Sequence, residues 1–409
     1  MTERLVVIGA GMASGRVLEH LTDAAPDAFD ITLFNTEPRG NYNRIMLSPV
    51  LAGDQTYEDI VTHDDAWYAE RNVTCRFGEK VVKIDREAKI VVGENGLVPY
   101  DKLIFGTGSN PFMIPLPGHD LDGVIAYRDL EDTERMMALQ PGQKCVVIGG
   151  GLLGLEAAAG MAARGVEVTV VHIMGHLMER QLDEAAGYLL KKSLEGKGID
   201  IRLQANSKEI VGQDGHVTAL MLDDGTELPC DLLVMAVGIR PNVALAQGAG
   251  LAVGKGIHVD DQMCTSDADV FAVGECVEHD GAIFGLVAPL YDQAKVLAQS
   301  LMGEEAAFVQ KTLSTKLKVT GCDLFSAGDF ADGDGREDIV FRDPSRGVYK
   351  RLVIEENKLV GAVMYGDTAD GNWFFGLIKD GTDIEEMRET LIFGPAFQGG
   401  DTADPLSAV

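Results

Sequence analysis

Cysteine is scarce in this sequence and is never arranged in pairs. The 409 residues include six cysteines, and no two of them are spaced as C-x-x-C or C-x₄-C. A redox-active dithiol, a zinc ribbon and an iron–sulfur ligand set all need such pairs. The spacing therefore argues against these three kinds of site and indicates reduced thiols that pack as small hydrophobic side chains.

The sequence also lacks long hydrophobic runs and an excess of basic residues. No run approaches the roughly 20 apolar residues that cross a bilayer, and the first one, Leu5–Ile8, leads into a glycine turn, which predicts a strand rather than a signal segment. The net charge is −29, from 64 acidic and 35 basic residues, which argues against binding to nucleic acid or to an anionic membrane. We therefore expect a cytoplasmic protein whose acidic surface aids solubility or docks a basic partner.

Glycine, by contrast, is abundant, with 48 residues, and it marks a pattern that occurs twice. Each copy has a short apolar strand, a glycine turn that begins at Gly9 or Gly149, a helix and a second strand. Such alternation predicts a parallel sheet covered on both faces. The predicted fold class is α/β with two Rossmann-like domains, and alternating apolar runs after Lys311 predict a C-terminal α+β domain. The predicted boundaries are 1–115 with 241–310, then 116–240, and finally 311–409.

The first glycine turn predicts a dinucleotide site. Glycine lets a diphosphate approach the backbone, and the following helix offers free N–H groups to it. The turn runs from Gly9 to Ser14, and serine takes the place of a third glycine whose usual role is close helix–strand packing. Glu37 lies 37 − 9 = 28 positions after the first glycine, where a carboxylate can accept hydrogen bonds from both ribose hydroxyls.

The second turn, from Gly149 to Gly154, matches the dinucleotide pattern fully, but the end of its second strand carries His172. Neither a carboxylate, which favours NADH, nor an arginine, which favours NADPH, occurs at that place. The cofactor preference is therefore open, and His172 can equally be a surface residue at the strand end. Arg180 is close enough in sequence to meet a 2′-phosphate, or it is a solvated charge. Glu156 is a candidate ligand of the nicotinamide, or a residue of the helix surface.

Four motifs between residue 5 and about residue 300 resemble the glutathione-reductase-like flavoproteins, which have two dinucleotide-binding domains. The resemblance implies FAD in the first domain and NADH or NADPH, as the substrate, in the second. The family's fourth motif normally ends in aspartate, and Glu275 has that place here. The motifs are Gly9–Gly11, Phe105–Pro111, Gly149–Glu156 and Thr265–Glu275.

A second set of motifs resembles the flavin part of NAD(P)H nitrite reductase large subunits. Those subunits continue into an iron–sulfur segment and a sirohaem domain, and this sequence has no such cysteine cluster, so we expect that it does not itself reduce nitrite. The resemblance implies the NADH diaphorase subunit of an assimilatory nitrate reductase, or the diaphorase part of a split nitrite reductase. The segments are Glu37-Pro38, Asn41–Arg44, Leu47-Ser48, His172, Leu177–Asp183, Gly274–Cys276, Gly285–Pro289 and Ser314–Lys318.

The resemblance also implies residues for both sites, and it implies no metal. Glu156 is the catalytic candidate, although Pro49 stands where ferredoxin-reductase-type members have a lysine that could pair with it. The helix near Pro289 would direct its N-terminus at the flavin. For FAD the residues are Gly9, Gly11, Met12, Ala13, Ser14, Glu37, Arg44, Ser48, Thr107, Gly108, Gly274, Glu275, Pro289 and Gln293. For NAD(P)H they are Gly149, Gly151, Leu152, Leu153, Gly154, Glu156, His172, Arg180, Val237 and Gly238.

The expected function is electron transfer from NAD(P)H through FAD to a protein partner, with a nitrate or nitrite reductase as the first candidate. Three alternatives stay open. An NADH oxidase or peroxidase would use a cysteine about 40 residues into the chain, but Ser48 lies near that place and no cysteine precedes Cys75. A redox sensor of the apoptosis-inducing-factor type would bind NADH without fast turnover. A ferredoxin or rubredoxin reductase of another pathway would differ only in its partner. The oligomeric state is open, and a homo-oligomer is one alternative.

Overall fold

The computed structural model describes residues 2–311, 314–319 and 321–397. They form two compact units. The first contains the residues up to Phe112 together with Arg128–Thr133 and Gly238–Lys311, and the second contains Met113–Tyr127, Glu134–Val237 and the described residues after Lys311. The first unit thus includes the short segment from Arg128, which the sequence-based boundaries place in the other domain. None of the described helices has the length and hydropathy of a membrane span.

The chain up to residue 111 alternates strands and helices around a parallel sheet. Its elements are β1 Glu3–Ile8, α1 Met12–Ala24, β2 Phe29–Asn35, a 3₁₀ turn Arg44–Met46, α2 Leu47–Ala52, α3 Tyr57–Ile60, α4 Asp65–Glu70, β3 Thr74–Phe77, β4 Val81–Asp85, β5 Ile90–Gly93, β6 Gly96–Pro99, β7 Lys102–Phe105 and β8 Ser109–Pro111.

The middle of the chain builds a second parallel sheet. Its elements are β9 Val124–Ala126, α5 Leu130–Met137, β10 Lys144–Ile148, α6 Leu152–Ala163, β11 Glu167–Val171, α7 Glu184–Glu195, β12 Asp200–Arg202, β13 Ser207–Gln213, β14 His216–Leu222, β15 Glu227–Pro229 and β16 Leu232–Met235.

The chain then returns to the first unit and ends in an antiparallel region. The elements are β17 Ile239–Pro241, α8 Ala244–Gly248, β18 Ile257–His258, β19 Val270–Ala272, β20 Val277–His279, β21 Ala282–Ile283, α9 Val287–Leu301, β22 Ser314–Val319, β23 Cys322–Gly328, β24 Glu337–Asp343, β25 Val348–Glu355, β26 Lys358–Tyr365, α10 Gly371–Asp380, and 3₁₀ turns Glu385–Met387, Leu391–Phe393 and Pro395–Phe397.

The central sheet of the first unit has the order β19-β7-β1-β2-β3, and all of its pairings are parallel. Strand β1 shows why an apolar run suits this place. Leu5 and Val7 belong to the hydrophobic cluster on one face, whereas Val6 and Ile8 belong to the cluster on the other. A strand that is covered on both faces needs apolar residues at consecutive positions, and its carboxyl end then leads into the first glycine turn.

The second unit repeats this sheet with the order β12-β11-β10-β16-β9, again with parallel pairings only. Its C-terminal region is an antiparallel sheet of order β22-β23-β26-β25-β24, whose core includes Phe325 and Phe374 from β23 and α10. The predicted fold class, two Rossmann-like sheets followed by an α+β region, is confirmed.

Candidate dinucleotide-binding sites

The first glycine turn is tight enough to require glycine at its first position. Gly9 has a φ of +102°, and a Cβ atom there would lie 2.3 Å from the carbonyl oxygen of Gly106. The Gly9 N–H donates to the carbonyl of Phe34 at 2.7 Å. The turn is thus bound between the ends of β7 and β2, at the carboxyl edge of the sheet where α/β folds bind their ligands.

Gly11 has a different role from Gly9. It is the N-cap of α1, with an ordinary φ of −72°, and no side chain caps the helix. A Cβ atom at Gly11 would meet nothing within 4 Å among the described atoms. The backbone therefore does not need glycine here, and the open space lies beside the N–H groups of Met12 and Ala13, which have no acceptor within the helix. This is the geometry expected for a diphosphate site.

Ser14 packs against the end of β7, as the sequence predicted for the third position of the turn. Its side chain is buried, and its Oγ would lie 1.9 Å from a Cβ atom placed on Gly106. In the second unit the corresponding position is Gly154, where a Cβ atom would lie 2.0 Å from the carbonyl oxygen of Gly149 and 3.4 Å from the methyl group of Ala236. In the first turn the helix carries the larger residue and glycine follows the strand, whereas in the second the helix carries glycine and alanine follows the strand.

We expect Gly106→Ala to destabilise the first unit by about 1–3 kcal/mol, because the new methyl group overpacks the site of Ser14. The double variant Ser14→Gly/Gly106→Ala copies Gly154 and Ala236 of the second turn, and it should recover most of the lost stability. The recovery should be incomplete, because a glycine within a helix costs about 1 kcal/mol. Thermal unfolding and FAD content would be measured on both proteins. Equal losses in the single and double variants would contradict this account.

Two asparagines to which the sequence analysis gave no role bind the residue between the two glycines. The N–H of Ala10 donates to Asn35 Oδ1 at 3.3 Å, and Asn41 Nδ2 donates to the Ala10 carbonyl at 3.1 Å. Asn35 Nδ2 in turn donates to the carbonyl of Arg39 at 2.7 Å. Asn35 is the last residue of β2, so its position at the end of the second strand was the one available signal.

The predicted ribose-binding acid, Glu37, lies in a small polar cluster beyond β2. Tyr42 Oη donates to Glu37 Oε2 at 2.8 Å, and the Arg44 guanidinium pairs with the other carboxylate oxygen. Burial raises the pKa of Tyr42 well above its usual value, so the hydroxyl stays a donor. Arg44 also donates to the carbonyl of Arg128 at 3.2 Å, and the partly buried Ser48 follows in α2. The structure thus brings Glu37 and Arg44 together.

Glu275 is also paired, with residues that the sequence analysis did not assign. Its Oε2 accepts hydrogen bonds from the Ser109 hydroxyl and from Arg128 Nη2, the latter at 2.6 Å. The side chains of Arg128 and Glu275 are 23% and 17% exposed, so the pair is largely shielded from water. Arg128 lies 147 residues before Glu275, and both residues belong to the first unit.

Gln293 supplies a buried amide beside the last glycine of the second FAD motif. Its Oε1 accepts the Gly274 N–H at 2.9 Å, whereas its buried Nε2 has no partner among the described residues. Gly274 has a φ of +95° and lies against Ala13, so Gln293 lies close to the first glycine turn. A buried donor without a partner is costly, and FAD, with its many acceptor atoms, fits such a site.

The remaining predicted FAD residues occupy two places in the first unit. The hydroxyl of Thr107 donates to the carbonyl of Asn242 at 2.8 Å, and Gly108, with a φ of +61°, accepts from the Asn242 N–H at 2.9 Å. Pro289 lies in the first turn of α9, where Leu286 is the N-cap and no side chain caps the helix. That helix end can receive an anionic group.

The second glycine turn repeats the geometry of the first. Gly149 has a φ of +124°, and a Cβ atom there would lie 2.3 Å from the carbonyl oxygen of Ala236. Gly151 is the N-cap of α6, and a Cβ atom there meets nothing within 4 Å. Leu152 and Leu153 form the first turn of α6, and their N–H groups also lack acceptors within the helix. The second turn is therefore a second candidate diphosphate site.

His172 lies beneath the second turn, and the protein itself engages both of its ring nitrogens. The side chain is 7% exposed. Its Nδ1 accepts the N–H of Gly150 at 3.1 Å, and its Nε2 lies 3.1 Å from Glu179 Oε2. Nδ1 can accept only if Nε2 carries the proton, so the carboxylate of Glu179 receives that N–H. The structure thus connects His172 to the backbone of the turn.

The other predicted NAD(P)H residues differ in exposure, and Gly238 belongs to the first unit. Arg180 is exposed and pairs with no acid among the described residues. Glu156 lies partly buried on α6. Val237 packs beside Gly149, and Gly238 has a φ of +111° with open space around its Cβ position. Arg180 is therefore free to meet an anionic ligand.

One group of potential metal ligands occurs among the described residues, at Asp261, His279 and Asp280, whose ligand atoms lie within 4.8 Å of one another. Both nitrogens of His279 already have partners. Its Nε2 lies 2.9 Å from Asp261 Oδ1, and its Nδ1 lies 3.4 Å from Gln310 Nε2. This arrangement has the form of a hydrogen-bond network, and the prediction that the chain has no metal site stays a prediction.

Comparison with known proteins identifies the family. A sequence model described as pyridine nucleotide-disulphide oxidoreductase matches residues 3–299. The chain belongs to this family. A second model, the rubredoxin NAD+ reductase C-terminal domain, matches residues 314–382. Membership confirms the predicted class, an NAD(P)H-dependent flavoprotein oxidoreductase, and its predicted cofactors FAD and NAD(P)H. All six cysteines of this member are free thiols in the structure.

Three relatives show the closeness of the match. The nitrite reductase [NAD(P)H] of Bacillus subtilis (strain 168) is 46% identical over 404 residues, which is 98% of this chain and 50% of that protein. The assimilatory nitrate reductase electron transfer subunit of the same organism is 38% identical over 99% of this chain and 53% of its own length. The crystal structure of NADH:rubredoxin oxidoreductase from Clostridium acetobutylicum has a TM-score of 0.79 at 25% identity, and covers 95% of this chain and 97% of that one.

The chain spans about half the length of these two Bacillus relatives. The similarity therefore concerns about half of each of these proteins and nearly all of this chain. It confirms the predicted kind of protein, whereas the acceptor of the electrons is a matter for a proposal.

Proposed function

We propose that this chain oxidises NAD(P)H and passes the electrons through FAD to a protein acceptor of nitrate or nitrite assimilation. The observation that carries the proposal is the pair of glycine turns. Each ends in an N-cap glycine, Gly11 or Gly151, that the backbone does not require and that borders open space. Two such sites in one chain suit one dinucleotide that stays bound as a cofactor and one that binds and leaves as a substrate. The two Bacillus relatives supply the choice of acceptor.

The residues of the first unit fit FAD. The N–H groups after Gly11 would bind its diphosphate, Glu37 would accept from ribose hydroxyls, and the unpaired Nε2 of Gln293 would donate to an acceptor atom of the cofactor. The uncapped N-terminus of α9 would stabilise negative charge on a bound ring. When bound, FAD supplies the chemistry of accepting a hydride from the nicotinamide and releasing electrons to an acceptor.

The residues of the second unit fit a nicotinamide dinucleotide. Gly151 and the first turn of α6 would bind the diphosphate. His172 accepts a hydrogen bond from the Gly150 N–H and so fixes the backbone of the glycine turn. Among the described residues Arg180 is an unpaired cation, which would favour a 2′-phosphate and hence NADPH. The end of β11 carries no acid that would favour NADH. We propose that both nucleotides are substrates, with Glu156 as a candidate contact of the nicotinamide.

A second candidate function is a rubredoxin or ferredoxin reductase of another pathway. The match of residues 314–382 to the rubredoxin NAD+ reductase C-terminal domain favours it. The oxidase alternative has less support, because Ser48 lies near the place where such enzymes would carry a reactive cysteine. Cys276, near the second FAD motif, is fully buried, and burial raises the pKa of its thiol.

We further propose a cytoplasmic location, which the six free thiols support. The net charge of −29 would attract a basic acceptor at low ionic strength. The assembly could then be a heteromer with the reductase or a homo-oligomer, and size-exclusion chromatography with light scattering would distinguish them.

Anaerobic stopped-flow reduction of the FAD-loaded protein tests the main proposal. NADH and NADPH would each be mixed with the protein, and the reduced protein would then be mixed with a nitrate or nitrite reductase, with rubredoxin, with ferricyanide or with oxygen. We expect fast bleaching of the flavin absorbance, slow reaction with oxygen and fast reoxidation by the nitrate or nitrite reductase.

Each other outcome contradicts this assignment in a defined way. Fast reoxidation by rubredoxin alone would establish the second candidate function. Fast reoxidation by oxygen would identify an oxidase. A reduced complex that persists with every acceptor would identify a sensor, and failure of both nucleotides to reduce the flavin would overturn the proposal altogether.

A further inference from the structure

The middle residue of each glycine turn is bound at both ends of its backbone. In the first unit the Ala10 N–H donates to Asn35 Oδ1 at 3.3 Å, and its carbonyl accepts from Asn41 Nδ2 at 3.1 Å. In the second unit the Gly150 N–H donates to His172 Nδ1 at 3.1 Å, and its carbonyl accepts from the Met178 N–H at 3.0 Å. We call each arrangement a turn clamp.

In both clamps, the residue that accepts the N–H hydrogen bond lies at the same position in the fold. Asn35 is the last residue of β2, and His172 follows directly after β11, which is the corresponding second strand. The middle residue joins the glycine with positive φ to the N-cap glycine. With both its N–H and its carbonyl engaged, it fixes the direction in which the helix begins and in which the helix N–H groups point.

The clamps also explain the residue between the glycines. A Cβ atom at Gly150 would lie 2.7 Å from a ring carbon of His172 and 2.7 Å from Leu177 Cδ2. The first turn has alanine at the same position and the smaller Asn35 in place of the histidine. Positive φ does not account for Gly150, since its φ lies outside the left-handed region. A side chain at this position would meet the imidazole of His172 and the end of the Leu177 side chain, so glycine suits it.

Glu179 selects the form of the imidazole that the clamp needs. His172 Nδ1 accepts a hydrogen bond only while the proton of the neutral ring is on Nε2, and Glu179 Oε2 lies 3.1 Å from Nε2. The neighbouring Met178, with a φ of +53°, provides the N–H for the other half of the clamp. One short segment thus binds both ends of the Gly150 backbone.

We propose that His172 and Glu179 are positioning residues for the nicotinamide dinucleotide, and that they act through the Gly150 backbone without touching the nucleotide. The proposal rests on the proposed function, since it assumes that NAD(P)H binds at the second turn. It replaces direct contact between His172 and the nucleotide with a hydrogen-bonded chain from Glu179 through the ring to the turn. It also indicates asparagine as a conservative replacement for His172, because Asn35 has the same role in the first turn.

Steady-state kinetics with NADH and ferricyanide test the proposal on the full-length, FAD-loaded protein. We expect His172→Leu to raise KM for NADH roughly tenfold, because the variant loses one hydrogen bond that orders the site. The change in kcat should be much smaller, and the FAD content should be unchanged. His172→Asn should raise KM far less, because Asn Oδ1 can accept the Gly150 N–H as Asn35 accepts that of Ala10. His216→Leu removes an exposed histidine of the same unit, 68% exposed, and serves as the matched control.

A pair of variants separates positioning from a general loss of structure. Gly150→Ala alone should raise KM strongly, because its methyl group meets the His172 ring. The double variant Gly150→Ala/His172→Asn, which copies Ala10 and Asn35, should recover much of that loss. It removes the rigid ring, and the remaining contact is with Leu177 Cδ2, the end of a side chain that can shift. Failure of the double variant to recover, or a loss of kcat with KM unchanged, would overturn the proposal.

Nitrogen-15 NMR of the histidine rings gives a readout that needs no nucleotide. We expect His172 in its Nε2–H form in the wild type, and a mixture of forms in Glu179→Leu. Finding that form while neither NADH nor NADPH binds would overturn the proposed function and leave the clamp standing. Finding His172 as the Nδ1–H form would overturn the clamp, whatever the kinetics show.

Discussion

Replacing Gly11 with valine is expected to give a folded protein that does not retain FAD. Replacing Gly151 with valine is expected to give a yellow protein that NAD(P)H reduces poorly. Both glycines are helix N-caps with φ values of −72° and −85°, which valine adopts readily, and a Cβ atom at either meets nothing within 4 Å. The valine side chain therefore begins in the open space beside the first-turn N–H groups, which a diphosphate would need.

The size of the effect follows from the hydrogen bonds that the diphosphate would lose. Two bonds from helix N–H groups to an anion contribute about 3 kcal/mol or more together, so Gly151→Val should raise KM for NADH about 100-fold. Stability should change little, because the valine N-cap costs about 1 kcal/mol relative to glycine. FAD content, thermal unfolding and KM would be measured on both variants.

Each of these variants is the control for the other, and Gly9→Ala supplies a third comparison. At Gly9 the φ is +102° and the new Cβ atom would lie 2.3 Å from a carbonyl oxygen, so that variant should lose the fold as well as FAD. If Gly11→Val keeps its FAD, or if Gly151→Val loses it, the assignment of the two turns is wrong.

The two glycine turns could be predicted from sequence because their signals are local. A short apolar strand, glycines at fixed spacing and a helix occur within about 20 residues, and backbone sterics determine most of what they form. The packing of Ser14 was predictable in the same way, since only a small residue fits where helix and strand come close. His172 directly follows the end of β11, as predicted, whereas β2 ends at Asn35, two residues before the predicted end at Glu37.

The partners of these residues could not be predicted, because remote segments contribute them. Arg128 reaches Glu275 across 147 positions, and Asn41 reaches the Ala10 carbonyl across 31. His172 was predicted to bind the nucleotide from its position, and its burial against Gly150 depends on a ring packing that no periodicity reveals. Its partner Glu179 lies in a segment that the sequence assigned only by resemblance.

The C-terminal region illustrates the same limit. Alternating apolar residues predicted its antiparallel strands, but the charged residues within them gave no sign of their partners. Arg351 on β25 is buried, and its guanidinium lies 3.6 Å from Asp183, 2.6 Å from Asp332 and 2.9 Å from Asp338. Tyr349 on the same strand donates to Asp183 across 166 positions. Asp183 also caps α7 by accepting the Ala186 N–H at 2.9 Å.

Arg351→Met is therefore expected to lower the free energy of unfolding by about 3 kcal/mol, because it leaves the nearly buried Asp183 carboxylate without its cation. Calorimetry should show this as a fall in Tm of about 6–12 °C. The matched control is Arg346→Met, since Arg346 is 82% exposed and meets only Asp343, at 3.6 Å, so its loss should cost less than about 0.5 kcal/mol. Equal effects of the two substitutions would contradict the role assigned to Arg351.

A double-mutant cycle with Tyr349→Phe then tests whether the two residues act through one carboxylate. Burial keeps the pKa of Tyr349 well above its usual value, so its hydroxyl stays a donor to Asp183. Because both residues bind Asp183, their effects should be non-additive by about 0.5–3 kcal/mol. Asp183 lies four positions after Glu179 in the chain, so the same variants also probe the second turn clamp. A rise in KM for NADH that accompanies the loss of stability would show that the C-terminal sheet helps to hold the nucleotide turn, whereas an unchanged KM would confine its effect to the stability of the unit.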